Sequence, residues 1–174
     1  MIIAASEICT LRHLEKEDLI VFANFANNPK IAINLRDGFP NPYNIGHAEF
    51  FYKQIDSQNP KTFFAIEYQK CFTGMISLMP LSDVYRKNAE IGYWLAEPFW
   101  NKGIATSAVK LIVEWGWKNL DISRIQTGVF SYNLASARVL EKAGFNFEFE
   151  CINSVFKNGK LANELRYSVL RPLK

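Results

Sequence analysis

Cysteine is scarce in this sequence. The 174-residue chain holds three, Cys9, Cys71 and Cys151, far apart and without C-x-x-C spacing. An odd count with no paired spacing argues against a disulfide framework and against a zinc site; three small buried hydrophobes are the expected role. The two histidines, His13 and His47, lie in separate early segments with no partner pattern. Neither reads as a ligand or a base. Long apolar runs are also missing. The N-terminus, MIIAASEICTLRHLEKEDL, is apolar for only five residues and lacks a charged lead. No signal peptide and no membrane span is expected, so a cytoplasmic protein is the default.

Charge of one sign is nowhere concentrated. Lys+Arg number 20 against 17 Asp+Glu, a net charge of +3, with no basic stripe or run. Such mild basicity suits an anionic ligand and does not point to nucleic acid. Linkers, repeats and low-complexity tracts are absent, so residues 1–174 read as one domain. Hydrophobic residues make up 49% and charged residues 21%, the composition of a chain with a full core rather than a disordered one.

The pattern of elements can be read along the chain. CTLRHL is strand-like, and Leu19, Phe22, Ala23 and Ala26 then fall at i, i+3, i+4 and i+7, one apolar helical stripe. LRDGFPNPYN is a loop, and Asn44 is placed to cap a second helix running to about Gln58, with Phe51 and Ile55 inward. KTFFAIEY and CFTGMISLMP read as a hairpin turning at Gln69-Lys70, followed by the strand AEIGYWLAE. A helix is expected from Ile104 to Asn119, a strand over SRIQTGVF, and a short helix capped by Asn133 and stopped by Gly144. Two strands joined at Asn158-Gly159 close the chain. The strand–helix–strand unit from Glu90 to Val129 should pair in parallel within a mainly antiparallel set.

One stretch, EPFWNKGIATSAV, begins a helix on a loop with no residue suited to chemistry. A helix N-terminus offers unpaired N–H groups and a positive dipole end, which bind phosphate without a charged side chain. Gly103 allows close backbone approach, Ala105 is nearly as small, and Lys102 adds positive charge. NKGIAT matches neither the P-loop nor G-x-G-x-x-G. A plain strand–turn–helix connection therefore stands beside the phosphate reading.

The block from Ala89 to Phe145 resembles the core of the GNAT acetyltransferase superfamily, and within it the RimJ/RimL type that acetylates N-terminal amines of ribosomal proteins. The superfamily's acetyl-CoA loop, Gln/Arg-x-x-Gly-x-Gly/Ala, reads Trp100-Asn101-Lys102-Gly103-Ile104-Ala105 here, with Trp in the first place. A second match runs through Asn133, Ser136, Leu140, Glu141, Lys142, Gly144 and Phe145. The resemblance covers about Thr10 to Pro172. It implies a GNAT fold: a mixed, mainly antiparallel sheet of about seven strands flanked by about four helices.

It also implies direct acetyl transfer from acetyl-CoA to an amine, with no acyl-enzyme and no metal. Asn101, Lys102, Gly103, Ile104, Ala105 and Thr106 would surround the pyrophosphate. The backbone of Trp94 and Leu95 would pair with the pantetheine, and Asn133 would bond the cofactor arm as well as cap its helix. Arg138 would meet the cofactor phosphates or form part of a solvated face. The position where some relatives carry a basic Glu on the fifth strand is Gly128 here, which leaves Glu90 as candidate base or as a paired structural acid. Ser136 would meet the leaving thiolate or serve only in packing, with Tyr132 as substitute donor. The acceptor site would use Arg36, Asp37, Phe39, Tyr43 and the final hairpin, where Asn163 replaces a family acid and Tyr167 is kept. Trp115 and Trp117 are core or a dimer surface, so a homodimer stays open. The first acceptor expected is a protein or peptide N-terminus. The alternatives are a small amine, such as a polyamine or aminoglycoside, and a non-catalytic acyl-CoA-binding module.

Overall fold

The structure, a computed structural model, describes residues 1–172. In chain order its elements are β1 (Ile2–Ala5), β2 (Thr10–Arg12), α1 (Leu19–Ala26), α2 (Pro29–Ala32), α3 (Ile45–Asp56), β3 (Phe63–Tyr68), β4 (Cys71–Pro80), β5 (Asn88–Leu95), α4 (Ile104–Asn119), β6 (Arg124–Phe130), α5 (Leu134–Lys142), β7 (Asn146–Lys157) and β8 (Lys160–Leu170). The strands form one sheet in the order β1-β2-β3-β4-β5-β6-β8-β7. Every neighbouring pair is antiparallel except β5–β6.

The sheet buries both faces because its central strands alternate between two helical layers. On β5, Ala89, Ile91 and Leu95 enter a core built with Ile104, Ala108, Ile112 of α4 and Ala137, Leu140 of α5. Trp94, one step out of phase, enters a second core with Phe22 and Ala23 of α1 and Ala48 of α3. The helical stripe read from sequence lies in that second core, with Leu19, Phe22, Ala23 and Ala26 all buried. Phe22 stacks on Tyr43 and Phe72 there, with ring centroids 5.5 Å apart in both pairs.

Local chemistry places the turns. Gln69, Lys70, Asn158 and Gly159 all have positive φ, the geometry of two-residue hairpins. The Asn44 side chain accepts from the His47 backbone, and His47 Nδ1 accepts from the Asn44 N–H in return, so His47 has a capping role. Asn133 caps α5 by accepting from the Ser136 N–H, and Gly144 ends it at φ +94°.

The sheet has eight strands rather than about seven. β1 was hidden in the short apolar N-terminus, and it pairs with β2 at the sheet edge. The four-residue α2, begun by Pro29 and capped by Asn28, is too short to carry an apolar period. Of the cysteines only Cys9 is buried. Cys71 opens β4 straight after a hairpin turn and is exposed, and Cys151 lies half-buried on the edge strand β7. Trp115 is half-buried and packs against the first core, edge-on to Phe64 at 4.9 Å.

Candidate active site

β5 and β6 run side by side only briefly. Their parallel register holds over Asn88–Glu90 against Arg124–Gln126 and then stops. β5 continues to Leu95 on β4 alone, and β6 continues to Phe130 on β8 alone. A gap therefore opens in the middle of the sheet, and past Glu90 one side of the β5 backbone has no strand partner among the described residues. The candidate pantetheine segment, Trp94 and Leu95, lies at the end of that free edge. The Leu95 carbonyl is already taken: Trp100 donates its indole N–H to it at 2.7 Å. That bond explains the Trp in the first place of the loop motif. It ties the loop back onto β5.

The loop itself is exposed from Trp100 to Gly103. Asn101 has φ +60° and Gly103, the N-cap of α4, has φ +76°. No side chain caps the helix, and its first internal bond is Ser107 N–H to the Gly103 carbonyl at 3.0 Å. The N–H groups of Ile104, Ala105 and Thr106 are thus left without helical partners. A Cβ on Gly103 would meet only Ile8 Cδ1, at 3.9 Å. Crowding within the chain does not require glycine there; the left-handed φ does. Lys102 Nζ lies 5.4 Å from the Phe99 ring centroid and 6.0 Å from that of Tyr68, which holds the charge beside the loop. These residues fit a pyrophosphate group by backbone donors and one cation. Arg138 is exposed on α5, with no ion pair among the described residues.

α5 starts beside the gap. Ser136 Oγ lies 2.8 Å from the Tyr93 hydroxyl of β5, which also donates to the Ser136 carbonyl at 3.3 Å. Burial pushes the Tyr93 phenol up to about 12, the Ser136 hydrogen bond opposing this. Sequence reasoning missed Tyr93. The available signal was its phase: with Ala89, Ile91 and Leu95 it faces α4 and α5, where a hydroxyl needs a partner. Tyr132 is placed elsewhere. Its hydroxyl donates to the Ile33 carbonyl at 2.7 Å, so it is tied to the end of α2 rather than to Ser136.

The opposite face of the gap carries the acceptor candidates. Glu90 lies on the Trp94 face of β5 and is ion-paired with Arg36 from the α2–α3 loop. Asp37, next to Arg36, accepts from Lys157 near the β7–β8 turn at 2.7 Å. With Tyr132 bonded to Ile33, residues 33–37 are tethered to β5, to the β6–α5 turn and to the final hairpin. They roof this side of the gap. Phe39 is half-buried between Tyr43, at 4.9 Å, and Trp94, at 6.1 Å. Tyr43 is a core residue whose phenol burial raises to about 12, which takes it out of an acceptor surface. Tyr167 faces the other layer, donating to Glu141 Oε1 of α5 at 3.1 Å. Neither tyrosine joins Arg36 and Glu90.

Glu164 was also missed. It lies opposite Phe130 on β8, and its carboxylate reaches back over Gly128. A Cβ on Gly128 would overlap the carboxyl carbon and Oε1 and stand 2.7 Å from Oε2. A side chain from β8 therefore fills the place where the resemblance expects an acid on β6. Among the described residues no cluster of three or more metal-ligating side chains occurs, and no helix is long and apolar enough to cross a membrane.

The geometry has counterparts in known proteins. The family model described as an acetyltransferase (GNAT) domain matches residues 9–146. The chain is similar to the spermidine N(1)-acetyltransferase of Escherichia coli K12, with 28% identity over 163 residues covering 92% of this chain and 85% of that protein. Among solved structures, a Vibrio cholerae spermidine N-acetyltransferase in complex with CoA and spermine superposes with a TM-score of 0.80 at 25% identity, covering 95% of this chain and 96% of that one. A RimL ribosomal-protein acetyltransferase in complex with coenzyme A gives a TM-score of 0.86 at 20% identity, covering 98% of each chain.

Proposed function

The chain belongs to the GNAT acetyltransferase family, and we propose that its acceptor is a small amine carrying more than one positive charge. Its coarse activity follows from the family: it is an acetyl-CoA-dependent N-acetyltransferase. The observation that carries the acceptor class is the roof formed by residues 33–37. Three bonds hold it across the acceptor side, to Tyr132, Glu90 and Lys157. A polypeptide N-terminus needs an open groove, and a segment tethered across this side at three points leaves less room for one than for a small amine. The relatives matched along nearly the full chain include polyamine acetyltransferases. The RimL match, at 20% identity, supports the fold alone. This reverses the order of the two acceptors expected from the sequence.

In this reading the amine enters from the roofed face and the thioester from the α4–α5 face. Backbone N–H groups at the start of α4, with Lys102, hold the pyrophosphate; Asn133 and the free edge of β5 hold the arm. Glu90 accepts the ammonium proton, through water. The neutral amine attacks the thioester carbon, the C–N bond forms and the C–S bond breaks; the nitrogen sheds its second proton to water and the departing sulfur is protonated, leaving the amide and free CoA thiol. Ser136 donates to the departing sulfur. Tyr93 stays protonated and lies 2.8 Å from Ser136 Oγ, which holds the serine hydroxyl in place for that task. Developing charge is then met by a donor placed before the reaction begins.

Thiol release from acetyl-CoA, measured over a panel of polyamines, aminoglycosides and N-terminal peptides, tests the reading. Release is expected with short polyamines well above the peptides. A peptide used better than every small amine refutes the acceptor class, and binding without any release refutes the enzyme in favour of a binding module.

A further inference from the structure

Glu164 and Gly128 form a pair that an ordinary surface ion pair does not account for. Glu164 bonds Arg166, two residues along its own strand, at 3.1 Å. That contact requires nothing of β6. Yet any side chain at position 128 would expel the carboxylate from where it lies. Gly128 does not have a positive φ, so backbone conformation does not call for glycine either. Room for the carboxylate is the remaining reason.

Its position is specific. Gly128 is two residues past Gln126, the last β6 residue paired with β5, so the carboxylate stands where the gap begins to open. It shares the Glu90 face: Glu164 and Phe130 are opposed, and Gln126, opposite Glu90, is in phase with Phe130. The gap is thus flanked on this face by Glu90 from β5 and Glu164 from β8. Arg166 reaches only Oε2 of Glu164. Oε1 accepts no hydrogen bond among the described residues, and it is not a sealed atom, since none of their fully buried side-chain oxygens lacks a partner. The side chain is one-fifth exposed, 20%. A carboxylate with one open oxygen, largely shielded from water and facing a gap, suits an ammonium ion.

We propose that Glu164 holds a second, non-reacting ammonium of the acceptor and so selects diamines and polyamines over monoamines. The assignment rests on the small-amine reading above. No bond is made or broken at Glu164: the first amine of the acceptor reacts near Glu90, and the second is anchored across the gap.

The test compares 1,4-diaminobutane with butylamine, which differ by one ammonium group, using thiol release and the full-length protein. The ratio of their kcat/KM values is measured for the wild type, for Glu164→Gln and for Gly128→Ala. Glu164→Gln keeps the shape and removes the charge. Gly128→Ala keeps the charge and displaces it, at low cost to folding because the obstructing atoms end a flexible side chain. Each variant should lower the diamine preference by about 10- to 100-fold, the scale of one charged hydrogen bond. The loss should appear in KM for the diamine rather than in kcat. A ratio unchanged in both variants, or an equal fall in kcat for both amines, overturns the assignment alone. No release with any amine in the wild type removes the small-amine reading, and the assignment with it.

Discussion

Replacing Tyr93 with Phe deletes one oxygen from the wall beneath Ser136. The hydroxyl lies 2.8 Å from Ser136 Oγ and 3.3 Å from the Ser136 carbonyl, so two contacts disappear together. Ser136 is half-buried and water can reach it. The folding cost should therefore be that of one net hydrogen bond, about 1 kcal/mol. For a chain of this size that lowers Tm by roughly 2–4 °C. The rate should suffer more than the stability. Without Tyr93 the serine hydroxyl turns freely and spends part of its time bonded elsewhere, so kcat should fall by about tenfold, or 1.4 kcal/mol of barrier. Ser136→Ala removes the donor itself and should lower kcat by roughly 10- to 1000-fold, at most the scale of an oxyanion-hole donor. Affinity for acetyl-CoA should stay nearly intact in both, because the contact strengthens only as charge builds on sulfur.

The double variant separates the possibilities. If Tyr93 acts through Ser136, Tyr93→Phe adds nothing once the serine hydroxyl is gone, and the double variant turns over like Ser136→Ala. Losses that multiply would falsify the relay and leave the two hydroxyls as independent. The pH profile adds a second check. With its phenol pushed up to about 12, Tyr93 contributes no ionisation to the rate below about pH 10. The relevant readouts are steady-state thiol release, calorimetric acetyl-CoA affinity and a thermal melt on each of the four proteins.

Two further substitutions test other parts of the site. Gly103→Val forces a β-branched residue to φ +76° and should abolish acetyl-CoA binding by calorimetry while the melt stays cooperative, since its Cβ would meet only Ile8; near wild-type affinity removes the backbone-donor reading. Glu90→Gln should lower kcat/KM by about 10²–10⁴-fold near neutral pH, with a deficit that shrinks as pH approaches the amine's own pKa. An unchanged profile assigns Glu90 to its ion pair with Arg36.

What could be read from the sequence divides along a physical line. Signals that act within a few residues were legible. The stripe through Leu19, Phe22, Ala23 and Ala26, the Asn44 and Asn133 caps and the Asn158-Gly159 turn each depend on local geometry, and all are present. The loop at Gly103 belongs with them, because its bare helix start is written in adjacent residues. Partnerships between strands were not legible. Ser136 and Tyr93 are 43 positions apart, and only the register of the sheet with the docking of α5 joins them. Tyr43 and Tyr167 looked alike as acceptor residues, yet one is folded into a core and the other faces the α5 layer, a matter of phase that no local pattern reveals. The case of Gly128 goes furthest. Glycine at an expected acid position reads in sequence as a lost function. In the folded chain the same glycine admits a carboxylate from β8, 36 residues later, because Glu164 pairs with Phe130 and leans back by one pleat. An absent side chain can therefore mark a place that a neighbouring strand fills, and finding the donor requires the register.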